Sequence, residues 1–246
     1  MIQAMIFAAG LGTRLKPLTD TMPKAMVRVG GQPLLWHMLK RMECAGVGHV
    51  VVNVHHFATQ ITDYLKQNNQ FNMDIVVSDE TRQLLETGGG LKKARPLFLP
   101  DMPLLIHNVD IFSNAHFPSL LAADPTADAV LLVSERVTKR YLLFDETMRL
   151  VGWTNIETGE VRSPYPHLDP KTCRRYAFAG IHVIRHHTLL DEMDAWPEKF
   201  GIIDFYLRQC ATARIIGHLQ SDLKLLDVGK LDTIEKAEQF IKENQI

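Results

Sequence analysis

Two cations and two carboxylates, each close to a glycine or a strand end, carry the chemistry this chain can do. Gly10 and Gly12 follow an apolar run from Ile2 to Ala9 that reads as a buried strand, so the backbone beyond it can turn tightly and bring its N–H groups close to a ligand. Arg14 offers a planar fork to phosphate oxygens, and Lys24, after Pro23, a compact point charge. Together these groups make a cradle for a polyanion. The dinucleotide fingerprint would need a third glycine where Leu15 stands, and the Gly-Lys-Ser/Thr of the Walker loop is absent. Further on, Asp110 follows the short apolar strand from Pro103 to Asn108, at the edge where open α/β sheets bind ligands. It is a metal-ligand candidate or the cap of the next turn. Asp227, in Asp227-Val228-Gly229, precedes a glycine turn able to hold its carboxylate at that same edge, or else it only enters the helix that follows. Between them, Leu85-Glu86-Thr87-Gly88-Gly89-Gly90 removes side chains where another molecule can approach the backbone, or forms a flexible turn. Glu86 there accepts from base N–H groups or a ribose hydroxyl, or faces water.

The elements that must position these groups alternate. After the opening strand, Pro33 to Ala45 carries Leu34, Leu35, Met38, Leu39 and Met42 at helical spacing, ended by Gly46. His49 to Val54 reads as a strand, Ala58 to Leu65 as a helix and Asp74 to Val77 as a third strand, the rhythm of a parallel sheet. Ala127 to Glu135, Tyr141 to Phe144 and Tyr176 to Ile184 read as further strands, the last interrupted by Gly180. Lys230 to Ile241 is an amphipathic helix. His55 and His56 close the second strand and His182, His186 and His187 lie in or after a later one, all without carboxylate or cysteine at metal spacing, so they are structural.

The 246 residues suit a single α/β domain spanning 1–246. A formal charge of −1, with 27 basic residues scattered along the chain, provides no general attraction to nucleic acid. Any anion site is therefore local. Cys44, Cys173 and Cys210 have no CxxC spacing, which argues against a disulfide framework or structural zinc and fits a reducing cytoplasm. No apolar run approaches the ~20 residues needed to cross a bilayer, so no membrane partner is expected.

Gly-x-Gly-Thr-Arg-Leu-x-Pro-Leu-Thr followed by Pro-Lys resembles the signature of the sugar-1-phosphate nucleotidyltransferases, which join a sugar phosphate to a nucleoside triphosphate and release pyrophosphate. The resemblance extends in order from Ala8 to roughly Gln239, and the Leu-Glu-Thr-Gly-Gly-Gly variant looks most like the short bacterial N-acetylmuramate 1-phosphate uridylyltransferases. It implies a Rossmann-like three-layer sandwich with a mostly parallel central sheet. It further implies Ala8, Ala9, Gly10, Gly12, Thr13, Glu86, Thr87 and Gly88 around the nucleotide, Arg14 and Lys24 as catalytic cations on its phosphates, and Asn108 and Gly180 against the sugar. Asp110 and Asp227 would then hold Mg²⁺. Two departures stand out: Val109 replaces a usual glycine, and Gly152-Trp153-Thr154-Asn155 stands where many members carry Glu-Lys-Pro, whose lysine contacts the sugar phosphate. Arg174, Arg175, Lys139 and Arg140 are the candidates for that missing cation, or a solvated face.

The chemistry implied is mostly positioning and charge. Attack on the α-phosphorus gathers negative charge on its oxygens as pyrophosphate departs, and a phosphate nucleophile is already an anion, so no general base is needed. The partners expected are a sugar 1-phosphate and UTP or GTP, with UTP favoured. Guanylyl transfer to mannose or heptose 1-phosphate is the enzymatic alternative, and a non-catalytic nucleotide-sugar-binding module of the same fold is the other. Loss of a metal carboxylate or signature cation would mark the second, and all four are present.

Overall fold

A computed structural model describes residues 2–244. The chain enters through β1 (Ile2–Phe7), makes a small hairpin of β2 (Arg28–Val29) and β3 (Gln32–Pro33), and continues into α1 (Leu34–Cys44). Then come β4 (Val47–Val54), α2 (Ala58–Gln67), β5 (Asp74–Asp79), α3 (Glu86–Ala94) and β6 (Leu104–Asn108). Short β7 (Ile111–Ser113) and α4 (Phe117–Ala122) lead to β8 (Ala129–Ser134), followed by β9 (Arg140–Phe144), β10 (Leu150–Asn155) and β11 (Val161–Arg162). Long β12 (Arg174–Ile184), α5 (Thr188–Asp191), α6 (Ile202–Gln209), β13 (Ile215–Leu219), β14 (Leu225–Asp227) and α7 (Asp232–Asn244) complete the chain.

Ten strands form one mixed sheet, in the order β11-β10-β9-β12-β6-β1-β4-β5, with β8 and β13 branching from β12. The central strands β6, β1, β4 and β5 run parallel, and β12 enters antiparallel beside β6. Along β1 the side chains alternate between two cores, Ala4 and Ile6 on one face and Met5 and Phe7 on the other, as the pleat requires. The first face is covered by α1, α2 and α7 through Leu35, Ile61 and Ala237, the second by α3 and α6 through Leu91 and Phe205. Apolar matter therefore lies on both sides of the sheet, which is why the central strands read as continuous runs of valine, isoleucine and leucine rather than as alternation. The register aligns the strand ends: Phe7 pairs with Asn53 on one side and with Asn108 on the other, so the loops after β1, β4 and β6 leave at one level. No helix among the described residues is long and apolar enough to cross a membrane.

Two histidines are enclosed by this packing. Burial pushes both His107 and His182 down to about 3, and His182 finds no hydrogen-bond partner for either ring nitrogen among the described residues. The folded chain holds them neutral, whereas the unfolded chain protonates them near the ordinary value of 6.5. Their folded values are depressed, so stability is complete above pH 6.5 and falls as pH drops toward 3. Between pH 6.5 and 5 each should cost about 2 kcal/mol, at 1.36 kcal/mol per unit. Urea midpoints measured across that window should fall steeply, and His182→Leu should remove about half of the slope; an unchanged slope in that variant would refute this origin.

Candidate active site

The site forms at the level where β1, β4 and β6 end. The backbone leaves β1 with the N–H of Ala8 donating to Asn53 Oδ1 at 2.7 Å, while Val109 N–H donates back to the Phe7 carbonyl at 3.2 Å. Gly12 has φ +64°, and a methyl group there would lie 2.8 Å from Thr19 Cγ2 and 3.0 Å from Lys24 Cβ. A side chain at this position would thus be strained and would also push Lys24 aside. Thr19 Oγ1 donates to the Gly12 carbonyl at 2.9 Å, closing the loop on itself. Lys24, whose side chain is 11% exposed, projects from this loop into an ion pair with Asp110 Oδ2.

The second carboxylate arrives by strand pairing. β14 lies antiparallel to β7 with Asp227 opposite Ile111, and Val228 N–H donates to the Asp110 carbonyl at 2.9 Å. A methyl group on Gly229 would sit 2.7 Å from Asp227 Oδ1 and 2.8 Å from Arg14 Nη2, so that the guanidinium and the carboxylate converge on one bare backbone position. Lost solvation, and then the charge of Asp110, hold the Asp227 carboxyl above its ordinary range, with Lys24, Arg14 and Arg136 pulling it back. Four residues separated by up to about two hundred positions in sequence are thereby collected around one point.

Beside this cluster a cavity of about 240 Å³ is bounded by Ala9, Gly10, Lys24, Glu86, Thr87 and Asn108, among others. Of the sequence-predicted nucleotide residues, Ala9, Gly10, Glu86 and Thr87 line it, and Ala8 and Gly12 shape the loop from behind. Thr13 is exposed at the start of a short 3₁₀ turn and lies outside the lining. Gly88 also falls elsewhere: its N–H donates to the Phe200 carbonyl at 2.9 Å, and a methyl group on it would meet the Phe200 ring at 2.4 Å. The glycines after Thr87 form the first turns of α3, and the segment around Phe200 packs against the bare backbone of Gly88 and Gly89. Asn108 lines the cavity with Gly180 behind it, where a methyl group would come within 2.8 Å of Asn108 Nδ2.

Sequence reading missed a buried network that fixes this cavity. Asn53 Nδ2 donates to Glu80 Oε1 at 2.7 Å, and Leu85 N–H donates to Glu80 Oε2 at 3.1 Å. Through Asn53 the fully buried Glu80 therefore joins the loop at Ala8 to the loop that carries Glu86 and Thr87. Burial raises the Glu80 carboxyl, partly offset by the two donated hydrogen bonds. Gly90 makes room for it, since a methyl group there would lie 2.7 Å from Glu80 Oε1. The available signal was Asn53 itself, a polar residue inside the apolar run of β4.

Among the candidates for the missing sugar-phosphate cation, Lys139 is paired with Glu157 at 2.7 Å on the surface, and Arg174 and Arg175 are exposed at the start of β12. Arg140 lines a second cavity, of about 530 Å³, together with Arg136. Arg136, which no motif singled out, acts on Asp227 and donates to the Phe178 carbonyl at 3.1 Å.

A family model described as nucleotidyl transferase matches residues 3–141. The N-acetylmuramate alpha-1-phosphate uridylyltransferase of Caulobacter vibrioides is 35% identical over 222 residues, covering 87% of this chain and 86% of its own length. The mannose-1-phosphate guanyltransferase of Emericella nidulans is 35% identical over 121 residues, 48% of this chain and 33% of its own. In three dimensions, HddC from Yersinia pseudotuberculosis complexed with GMP-PN superposes with a TM-score of 0.78 at 20% identity, covering 98% of this chain and 100% of its own, a likeness of fold.

Proposed function

We propose, from the premise that this chain belongs to the nucleotidyl transferase family and is a sugar-1-phosphate nucleotidyltransferase, that it transfers a uridylyl group from UTP to N-acetylmuramate 1-phosphate and releases pyrophosphate. The observation that carries this reading is the convergence of Arg14, Lys24, Asp110 and Asp227, of which Lys24 and Asp110 line the cavity.

The donor set fits Mg²⁺. Asp110 and Asp227 offer hard carboxylate oxygens and are joined through the Val228 N–H that donates to the Asp110 carbonyl; lost solvation and then the charge of Asp110 raise Asp227. Among the described residues no third Cys, His, Asp or Glu joins them, and Mg²⁺ takes one or two carboxylates plus substrate phosphates. When bound, Mg²⁺ supplies hard positive charge to phosphate oxygens. The chain's own residues do the remainder. The loop from Ala9 to Gly12 cups the triphosphate, and Lys24 and Arg14 take up charge as it develops on the α-phosphate oxygens. Arg136 holds the sugar phosphate in place of the absent lysine. Glu86 and Thr87 border the base and ribose, and Glu80 sets the width of that slot by tying the two loops together.

The uridylyl donor is taken from the similarity to the Caulobacter vibrioides uridylyltransferase over most of both chains. A site that hydrogen-bonds one base rejects another strongly, since buried groups left unpaired are costly. Pyrophosphate release, measured as kcat/KM for UTP and GTP with N-acetylmuramate 1-phosphate and mannose 1-phosphate, should favour UTP by roughly a hundredfold with the first sugar. A preference for GTP with either sugar would overturn uridylyl transfer and leave nucleotidyl transfer standing.

A further inference from the structure

The larger cavity, of about 530 Å³, has a wall chemistry that the reaction centre alone does not require. Arg136, Arg140 and Arg162 face it, with Glu160 the one carboxylate in its lining, and Trp153, Tyr141 and Phe178 give it aromatic faces. The arginines differ in their commitments. Arg136 is nearest the reaction centre, where its charge reaches Asp227, and its guanidinium is anchored on the Phe178 carbonyl. Arg162 is held rigidly: its guanidinium stacks 4.1 Å from the Trp153 ring centroid and its Nη1 is paired with Asp204. Its Nε is buried without a hydrogen bond, 3.6 Å from Glu160 Oε1. Arg140, at the start of β9 opposite Asn155, makes no ion pair among the described residues. Phe178 belongs to the same strand as Gly180, which backs Asn108 in the smaller cavity, so β12 runs from the lining of the larger cavity to the back of the smaller one.

A sugar 1-phosphate whose phosphate is held by Arg136 must extend its ring away from the nucleotide, and Arg136 itself lines this cavity. A neutral hexose would need hydroxyl partners there and would leave Arg140, which has no ion pair among the described residues, facing it without a charged partner. Planar guanidinium forks match a carboxylate, and the aromatic walls suit the apolar face of a pyranose. We propose that Arg140 and Arg162 recognise a carboxylate carried on the sugar at a distance from its phosphate, and that this arginine-lined cavity makes the enzyme selective for acidic sugar 1-phosphates. This rests on the reading above and adds to it the side chains that select the acceptor. The 3-O-lactyl group of muramate is such a carboxylate; N-acetylglucosamine 1-phosphate is the same sugar phosphate without it.

The test compares kcat/KM for these two acceptors with UTP, using the intact chain and the variants Arg140→Gln and Arg162→Met. The wild type should prefer the muramyl acceptor by about a hundredfold, and Arg140→Gln should lower that ratio at least tenfold, chiefly through KM, with the melting temperature unchanged. Arg162→Met also loses the contacts to Asp204 and Trp153, so Arg140→Gln is the deciding variant and Arg140→Lys should restore part of the preference. Equal use of both acceptors by the wild type, or a ratio unmoved in Arg140→Gln, overturns the carboxylate site while leaving nucleotidyl transfer intact. A wild type that turns over neither acceptor with any nucleoside triphosphate overturns both.

Discussion

Asp110→Asn will lower turnover by about 10³-fold in a chain that still folds. The substitution keeps the shape of the side chain and the backbone carbonyl that accepts from Val228, so the joint between β6 and β14 survives. What it removes is the negative charge that balances Lys24 and offers a hard ligand to a cation. Loss of a group needed in the transition state should lower kcat and kcat/KM together and leave the affinity for nucleotide nearly unchanged. Steady-state kinetics at saturating Mg²⁺, alongside a thermal melt, read this directly. Activity close to wild type would remove Asp110 from the site.

Lys24→Met should lower kcat/KM by about 10²- to 10³-fold, corresponding to ~3–4 kcal/mol of transition-state stabilisation. Methionine has a similar volume, so the contact between the Lys24 stem and Gly12 is preserved and the loop keeps its form. The ammonium alone is lost. Its ion pair with Asp110 is only slightly exposed, which makes a purely structural role the competing explanation. The two separate cleanly: a structural lysine would shift the denaturation midpoint with kcat/KM preserved, whereas a phosphate-binding lysine lowers kcat/KM with the midpoint nearly preserved.

The parts of this site that were legible in sequence are those whose signal is local. A glycine loop after an apolar strand, an aspartate just beyond a strand end and Asp227-Val228-Gly229 before a helix each declare themselves within a few residues, because backbone geometry demands them. The central strands and the helices α1, α2 and α7 were equally readable from apolar spacing. What escaped depends on contacts distant in sequence. Glu80 lies in a polar stretch that looks solvated, and only the approach of Asn53 and Leu85 reveals it as buried. Gly88 and Gly89 looked like openings for a ligand, and what packs against them is the segment of Phe200 and Glu198, more than a hundred residues away. Arg136 has no motif around it, and α6 and β13 lie in a stretch where no element was read. Their positions are set by the second core and by β8, neither of which the local pattern announces.

The two aspartates stand on unequal foundations. Asp110 follows β6, which is flanked on both sides by β1 and β12 within the main sheet, whereas Asp227 ends a three-residue strand paired only with β7 and followed by a helix in which Ala237 alone is fully buried. Amide groups in such a segment open to solvent at a small fraction of the global unfolding free energy. One carboxylate is thus carried by the main sheet, and the other by a short strand pair outside it. The spacing of the two carboxylates therefore hangs on that pair and on the single Val228 to Asp110 hydrogen bond, so a substitution that weakens β14 displaces Asp227 while the main sheet stays whole.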